Sequence, residues 1–327
     1  MVFRKFQRAI ALILLCAIAA PIKKCGVCLT HILSNQLTKT EAEREEILGV
    51  RSSNVWSYLH EDEWPVECKE GTKQSPIALS RDTAQEETFS SLIFEEFDVT
   101  YPVHSKNNGH TMEIRLHVQN QPTVRGGGLP HIFVLDNLHF HWKSEHTVEG
   151  KRFPLELHLV FYANRYANIS QALRHTGGVA VFSVLFYFSP DDNRQFEPLI
   201  TVIDKVYNKI NTIEQMNLNV DDYLPRDRAG FYRYNGSLTT PNCNEGIIWT
   251  VFTNTLPISK NQIKSFATLK RDENRQLLKN YRSLQKLNGR RVQIRSSPVF
   301  GGSSIRSNNF WQTLLIISTV ANLLICI

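Results

Sequence analysis

Asn137-Leu-His-Phe-His-Trp-Lys-Ser-Glu-His-Thr-Val-Glu-Gly-Lys-Arg-Phe-Pro-Leu-Glu-Leu-His158 is the stretch from which the rest of the chain can be read. His139 and His141 stand two apart in an apolar, aromatic run. A strand sends residues i and i+2 to one face, so both imidazoles point the same way. A second run, Leu155-Glu-Leu-His-Leu-Val-Phe-Tyr162, repeats the spacing with Glu156 and His158. If the two runs pair, three imidazoles converge on one face. Three neutral imidazoles with a fourth position open to exchange suit a catalytic zinc ion, Zn2+, rather than a closed structural site. Glu156, two residues before the third histidine, can hold that ring's other nitrogen. The plain alternative is that these are ordinary hydrogen-bonded strand histidines, as most of the chain's 11 should be. Three on one predicted face, with carboxylates interleaved, tip the reading toward the metal.

Working outward, β-rich runs recur at Thr111 to Val118, Ile132 to Trp142, Leu155 to Tyr162, Val179 to Phe188 and Ile247 to Thr253, separated by Pro, Gly and Asn clusters. Helical signals are fewer: Phe196 to Val206, opening after Pro190-Asp-Asp, and Ser259 to Ala267. The expectation is a single mostly-β domain with added helices over residues 51–294, about 245 residues, a size one domain can reach. A polar arm, residues 21–50, precedes it.

The two ends read as targeting. Residues 1–20 place Arg4, Lys5 and Arg8 before an apolar run that closes on Ala19-Ala20, the order of a secretory signal peptide; an uncleaved anchor is the alternative. Residues 295–310 hold a small-residue stretch, Gly301-Gly-Ser-Ser304, and a polar spacer before the apolar tail of residues 311–327. That sequence of parts is expected of a glycolipid (GPI) anchor signal, with a marginal single span as the alternative. The formal charge of +6 includes Arg4, Lys5, Arg8 and Arg306; without these four it is +2. With no lysine-arginine stripe interleaved with aromatics, nucleic acid is not an expected partner. Of six cysteines, Cys16 and Cys326 fall in the terminal segments. The remaining four allow three connectivities in an oxidising compartment, and Cys68 with Cys243 is the expected pair. Cys25 and Cys28 are left open between a local disulfide, a redox motif and no function, and the absence of a strand-helix pattern around them favours the last.

Further motifs are spread along the domain: Trp56-Ser-Tyr58, Cys68-Lys-Glu-Gly-Thr-Lys-Gln-Ser-Pro-Ile77, Lys106-Asn-Asn-Gly-His-Thr111, Tyr234-Asn-Gly-Ser-Leu-Thr-Thr-Pro-Asn-Cys243 with Glu245 and Trp249, and Asn280-Tyr-Arg282. In this order and spacing around His-x-His and Glu-x-His, the chain resembles the α-class carbonic anhydrases, in particular their extracellular, membrane-linked members. The resemblance implies a single large twisted, mostly antiparallel sheet. It implies zinc on His139, His141 and His158, and reversible hydration of carbon dioxide to bicarbonate and a proton by zinc-bound hydroxide. Thr239 would orient that nucleophile and donate to Glu145, and His110 would be the exposed imidazole that carries protons away. Val160, Val181, Leu238 and Trp249 would form the apolar wall for carbon dioxide, with Thr240 beside it. The alternative on the same fold is a cell-surface binding domain with weak or lost catalysis.

Two departures from the family pattern carry expectations of their own. Asn137 stands where glutamine commonly reaches the first zinc histidine, so that contact is expected to be lost or bridged by water. Only Lys143 separates Trp142 from Ser144, where a longer loop is usual, so Glu145 and His146 are expected to be displaced and the Thr239–Glu145 link strained or broken. Of two sequons, Asn168-Ile-Ser170 is the expected glycosylation site, and burial is expected to exclude a glycan from Asn235-Gly-Ser237.

Overall fold

A computed structural model describes residues 56–272 and 275–297. The terminal targeting segments, the polar arm, Cys25 and Cys28 lie outside the described residues. The chain divides at Trp64 into two compact units. Of the first, residues 56–64 are described. Trp56, Tyr58 and Trp64 meet edge to face there, and the Trp64 indole donates to the Ser57 carbonyl at 2.8 Å.

The second unit carries every strand among the described residues: β1 (Ala78–Leu79), β2 (Gln85–Glu86), β3 (Leu92–Glu95), β4 (Thr100–Asn107), β5 (Met112–Leu116), β6 (Thr123–Gly126), β7 (Phe133–Trp142), β8 (Thr147–Val148), β9 (Lys151–Arg152), β10 (Leu155–Ala163), β11 (Val179–Ser189), β12 (Ile213–Asn219), β13 (Phe231–Ser237), β14 (Glu245–Phe252), β15 (Leu256–Ser259) and β16 (Gln293–Arg295). Its helices are α1 (Val66–Glu70), α2 (Ile169–Ala172), α3 (Glu197–Val206) and α4 (Lys260–Phe266).

Thirteen strands form one sheet whose main path runs β12-β4-β5-β7-β10-β11-β14-β13-β16-β2. Most pairs are antiparallel, as expected, but β11 runs parallel to both β14 and β15. A small separate sheet, β1-β8-β9, uses the short strands that follow the Lys143 turn. Alternation along the central strands sorts side chains to two faces. On one face Leu138, Phe140, Leu157, Leu159, Phe161, Phe182, Val184 and Phe186 join Leu199, Val202, Ile203 and Val206 of α3 and Phe266 of α4 in the main core. Both helices begin as the sequence suggests. Pro198 stands in the first turn of α3, and Ser259 caps α4 with Gln262 in a reciprocal capping box. The other face carries the histidines.

Cys68 and Cys243 are joined by a disulfide across 175 residues, as expected. The link ties α1 to the turn after β13, near the site.

Candidate metal centre

The register of three strands assembles the site in cross-strand rows. His139 of β7 lies directly opposite His158 of β10, which lies opposite Ser183 of β11. One step along the same face, His141 lies opposite Glu156. In the other direction Asn137, Val160, Val181, Trp249 and Tyr234 form a continuous row through β7, β10, β11, β14 and β13. A period of two places all three rows on one face.

The three histidines offer nitrogens within 4.8 Å of one another. His141 and His158 are fully buried, and His139 is half-buried. Each ring has an acceptor on the nitrogen turned away from its neighbours. His139 Nδ1 lies 3.0 Å from Asn137 Oδ1, His141 Nδ1 lies 2.5 Å from the Asn280 carbonyl, and His158 Nε2 lies 2.7 Å from Glu156 Oε1. A carbonyl and a carboxylate only accept, so those nitrogens hold the protons. The Asn137 amide is oriented by its own donation to Asp136 at 2.8 Å. The lone pairs left, on Nε2, Nε2 and Nδ1, face inward. His141 Nε2 and His158 Nδ1 approach to 3.1 Å, two acceptors face to face, and tetrahedral zinc with bonds of about 2.0–2.1 Å would separate its ligands by only slightly more. The donor set therefore fits zinc. Burial and the neighbouring rings hold His139 and His158 below the ordinary imidazole range, and burial takes His141 down to about 4. The rings are neutral at physiological pH, ready to ligate.

Glu156 is the hub behind the histidines. Its carboxylate also accepts from His146 Nδ1 at 2.7 Å, the His146 backbone at 2.9 Å and Ser183 Oγ at 2.6 Å. Burial opposes its charge, but His146 and His158 hold its pKa well below the usual carboxylate value. His146 passes on to the Tyr234 hydroxyl at 2.7 Å, which donates to Ser75 at 2.9 Å.

Several expectations need correction. Asn137 keeps its contact with the first zinc histidine directly, because a short amide two residues away on the same face reaches Nδ1 without the extra methylene. At the Lys143 turn the chain stays paired with the segment that returns. Lys143 adopts φ +64°, and the ladder with the returning chain simply continues, Lys143 N to Pro154 O at 2.8 Å and Ser144 N to Phe153 O at 2.7 Å. Glu145 is fully buried, with Oε2 3.6 Å from His141 Nε2 and Oε1 accepting from the Arg282 backbone at 2.7 Å. Burial pushes its pKa up to about 7, opposed by the neighbouring His158 imidazole and by the Thr239 hydroxyl. Thr239 thus interacts with Glu145, while Glu145 Oε2 lacks a hydrogen bond of ordinary geometry. The link is loosened and not broken. His110 is half-buried rather than exposed. Burial, and secondarily Arg271, lower its pKa to about 4. Its turn is built by Asn107 Oδ1 accepting from Gly109 N and Asn108 Oδ1 accepting from the His110 and Thr111 amides. Gly109 has φ +84°, and a Cβ there would meet the Arg271 carbonyl at 2.9 Å. Asn235 is exposed, not buried, as is Asn168.

Val160, Val181 and Trp249 pack in one buried cluster with Leu238 against it, and Thr240 is half-buried beside the turn, its carbonyl accepting from Cys243 N at 2.7 Å. Asn280 is the functional residue sequence reading missed. Besides holding His141 it donates to the Phe140 and His110 carbonyls at 2.8 and 3.3 Å. Asn280-Tyr-Arg282 stood out as a motif, but 139 residues separate Asn280 from the ring it orients, and no local signal carries that.

A mostly antiparallel sheet carrying three imidazoles, two of them fully buried, each anchored from behind and open toward a common centre, is the arrangement of a three-histidine zinc protein. The chain belongs to the eukaryotic-type carbonic anhydrases, whose family model matches residues 54–296. Among similar proteins, a Caenorhabditis elegans protein with the provisional name carbonic anhydrase 5 is 33% identical over 286 residues, covering 84% of this chain and 91% of that one. Carbonic anhydrase 15 of Mus musculus is 32% identical over 292 residues, 79% and 87% of the two chains. Carbonic anhydrase 6 of Bos taurus is 31% identical over 271 residues, 76% and 82%.

Proposed function

We propose that this carbonic anhydrase catalyses the reversible hydration of carbon dioxide at the outer cell surface, with zinc held by His139, His141 and His158. The observation that carries the reading is the matched set of acceptors behind the three rings, which leaves three inward lone pairs at ligand spacing. Zinc bound there supplies a Lewis acid that lowers the pKa of water, an effect for which carbonic anhydrases are the standard example.

The chain's own residues do the rest. Glu156 and Asn280 lock the tautomers. Val160, Val181, Leu238 and Trp249 provide an apolar wall suited to an uncharged linear substrate. Glu145 accepts from the Thr239 hydroxyl, so that the Thr239 oxygen is left to accept from the reacting water and fixes its orientation. Thr240 borders the wall. His110 is the proton carrier, and its half-buried, desolvated ring makes it an inefficient one at neutral pH. Added imidazole buffer is therefore expected to raise turnover severalfold. Turnover that does not respond to buffer removes proton export as the slow step.

The setting follows from chemistry rather than from the site. A disulfide in the folded domain fits an oxidising compartment, in keeping with a leader over residues 1–20 and lipid anchoring through the tail of residues 311–327. Exposed Asn168 carries a glycan in this reading, its Oδ1 capping α2 by accepting from Gln171 N, and the exposed Asn235 sequon is open to one as well.

The deciding experiment is zinc content together with stopped-flow carbon dioxide hydration on purified protein, with a sulfonamide as inhibitor. One zinc per chain and inhibitable hydration are expected. Protein that stays metal-free after dialysis against excess zinc defeats the reading, and zinc-loaded protein without hydration points to a binding domain on the same fold.

A further inference from the structure

Beside strand β13, a cavity of about 400 Å³ is lined by Lys73, Phe89, Arg233, Tyr234, Asn235, Ile248, Arg290, Arg291 and Gln293. Four of the lining residues, Lys73, Arg233, Arg290 and Arg291, are cationic, and none is acidic. Two of the cations have partners. Arg291 lies 3.6 Å from Glu87 with 59% of its side chain exposed. Arg290 donates to the carbonyls of Leu287, Asn235 and Lys286, and the charge of Glu245 acts on it.

Arg233 differs. It is only 5% exposed. Nε donates to Thr250 Oγ1 at 3.2 Å and Nη1 to the Gly127 carbonyl at 2.8 Å, but Nη2 is buried without a hydrogen-bond partner. The mutually stacked Phe89 and Phe231 rings lie to one side of the guanidinium at 5.2 and 5.1 Å. Burial alone lowers its pKa, to about 10, with no acid opposing the shift. A buried cation with an unused donor is costly to keep unless something else satisfies it.

We propose that this cavity binds a multivalent oxyanion, a phosphate or sulfate group either free or as a small monoester, with Arg233 Nη2 as the inner anchor and Lys73, Arg290 and Arg291 around it. Guanidinium forks match oxyanion oxygens in geometry as well as charge. Four positive charges without a counter-charge in the lining select a dianion over chloride or bicarbonate. The volume lies in the range of small-molecule sites, and Phe89, Ile248 and the Tyr234 ring give an apolar wall to an attached organic group.

The test titrates the full chain, made in a host that adds no glycan at Asn235, with inorganic phosphate, sulfate and phenyl phosphate by calorimetry. Two forms are used, zinc-loaded protein saturated with sulfonamide and metal-free protein, so that anion binding at the metal is silent and the result is independent of the zinc reading. One anion per chain is expected in both, weakening with salt. Arg233→Met should lower affinity at least about tenfold without changing zinc content. Lys73→Ala combined with Arg291→Ala, which leaves the core intact, should lower it roughly two- to fivefold. Phenyl phosphate binding tighter than inorganic phosphate assigns a monoester; equal affinities assign the free anion. No binding at millimolar phosphate, or binding that survives both variants, overturns the proposal.

Discussion

The β7–β10 ladder and strand β13 bury charge in the same sheet and treat it in opposite ways. In the ladder, the Glu156 carboxylate accepts from two imidazoles, a hydroxyl and a backbone amide, and every donor around it is itself engaged. On β13, the Arg233 guanidinium is also buried, though not as fully as Glu156, yet one nitrogen finds nothing to bond. The difference separates two uses of desolvated charge. A satisfied network fixes geometry, as zinc ligation requires. An unsatisfied one stores affinity for a partner that is not part of the chain.

The comparison breaks most severely at the ligands themselves. His158→Ala should abolish zinc retention and reduce hydration to background, because two imidazoles and a distorted hub remain; normal zinc content in that variant would place the metal elsewhere. Glu156→Gln should destabilise the domain by about 3–5 kcal/mol, since it removes a buried charge that several donors require. It should also weaken zinc by about 10–100-fold. Denaturant titration and chelator competition read the two effects, and wild-type values for both would show the network to be dispensable.

In the metal-free protein His110 supplies a pH dependence with a definite sign. Its folded pKa of about 4 lies below the ordinary value of 6.5, so the unfolded chain takes up a proton first. The stabilisation is whole above pH 6.5 and is lost as pH falls from 6.5 toward 4, up to about 3 kcal/mol. The zinc histidines act in the same direction, so His110→Asn should lessen the loss over that window by up to about 3 kcal/mol rather than abolish it, and a curve superimposable on that of the wild type would remove His110 from the acid sensitivity. Arg233→Met should do the reverse of Glu156→Gln and leave stability unchanged or raise it by about 1–4 kcal/mol, because a desolvated cation is exchanged for an apolar chain; a clear loss would mean that its contacts with Gly127 and Thr250 outweigh its burial. The smallest effect is expected from Asn137→Gln. Asparagine already reaches His139 Nδ1, so zinc affinity should change by less than about threefold, against the larger loss from Asn137→Ala.

Much of this was readable in the chain. The His-x-His and Glu-x-His runs predicted β7 and β10 closely, because their apolar alternation and their ligand spacing follow the same period of two. Strands β4, β12 and β13 did not appear. β12 is an edge strand on which only Leu218 is buried, β4 alternates but buries the polar Ser105 and Asn107 on its inner face, and β13 is buried on nearly every residue, Arg233 included, so none shows a clean alternation of apolar and polar residues. The short turn at Lys143 shows the same limit. Counting residues does not reveal the left-handed backbone at that one position, which lets the ladder with Phe153 and Pro154 continue and leaves Glu145 buried beside His141.

The sequence alone determined which side chains could ligate a metal, that they share a face and which family the chain resembles, because strand periodicity and motif order are written along the chain itself. Only the tertiary structure decided which atom stands behind each ring, how deeply His110 and Glu145 are desolvated, and that Arg233 keeps an unmet donor. Those are properties of contacts between residues distant in the chain, Asn280 with His141 and Gly127 with Arg233, and they exist only once packing has excluded water and fixed the distances.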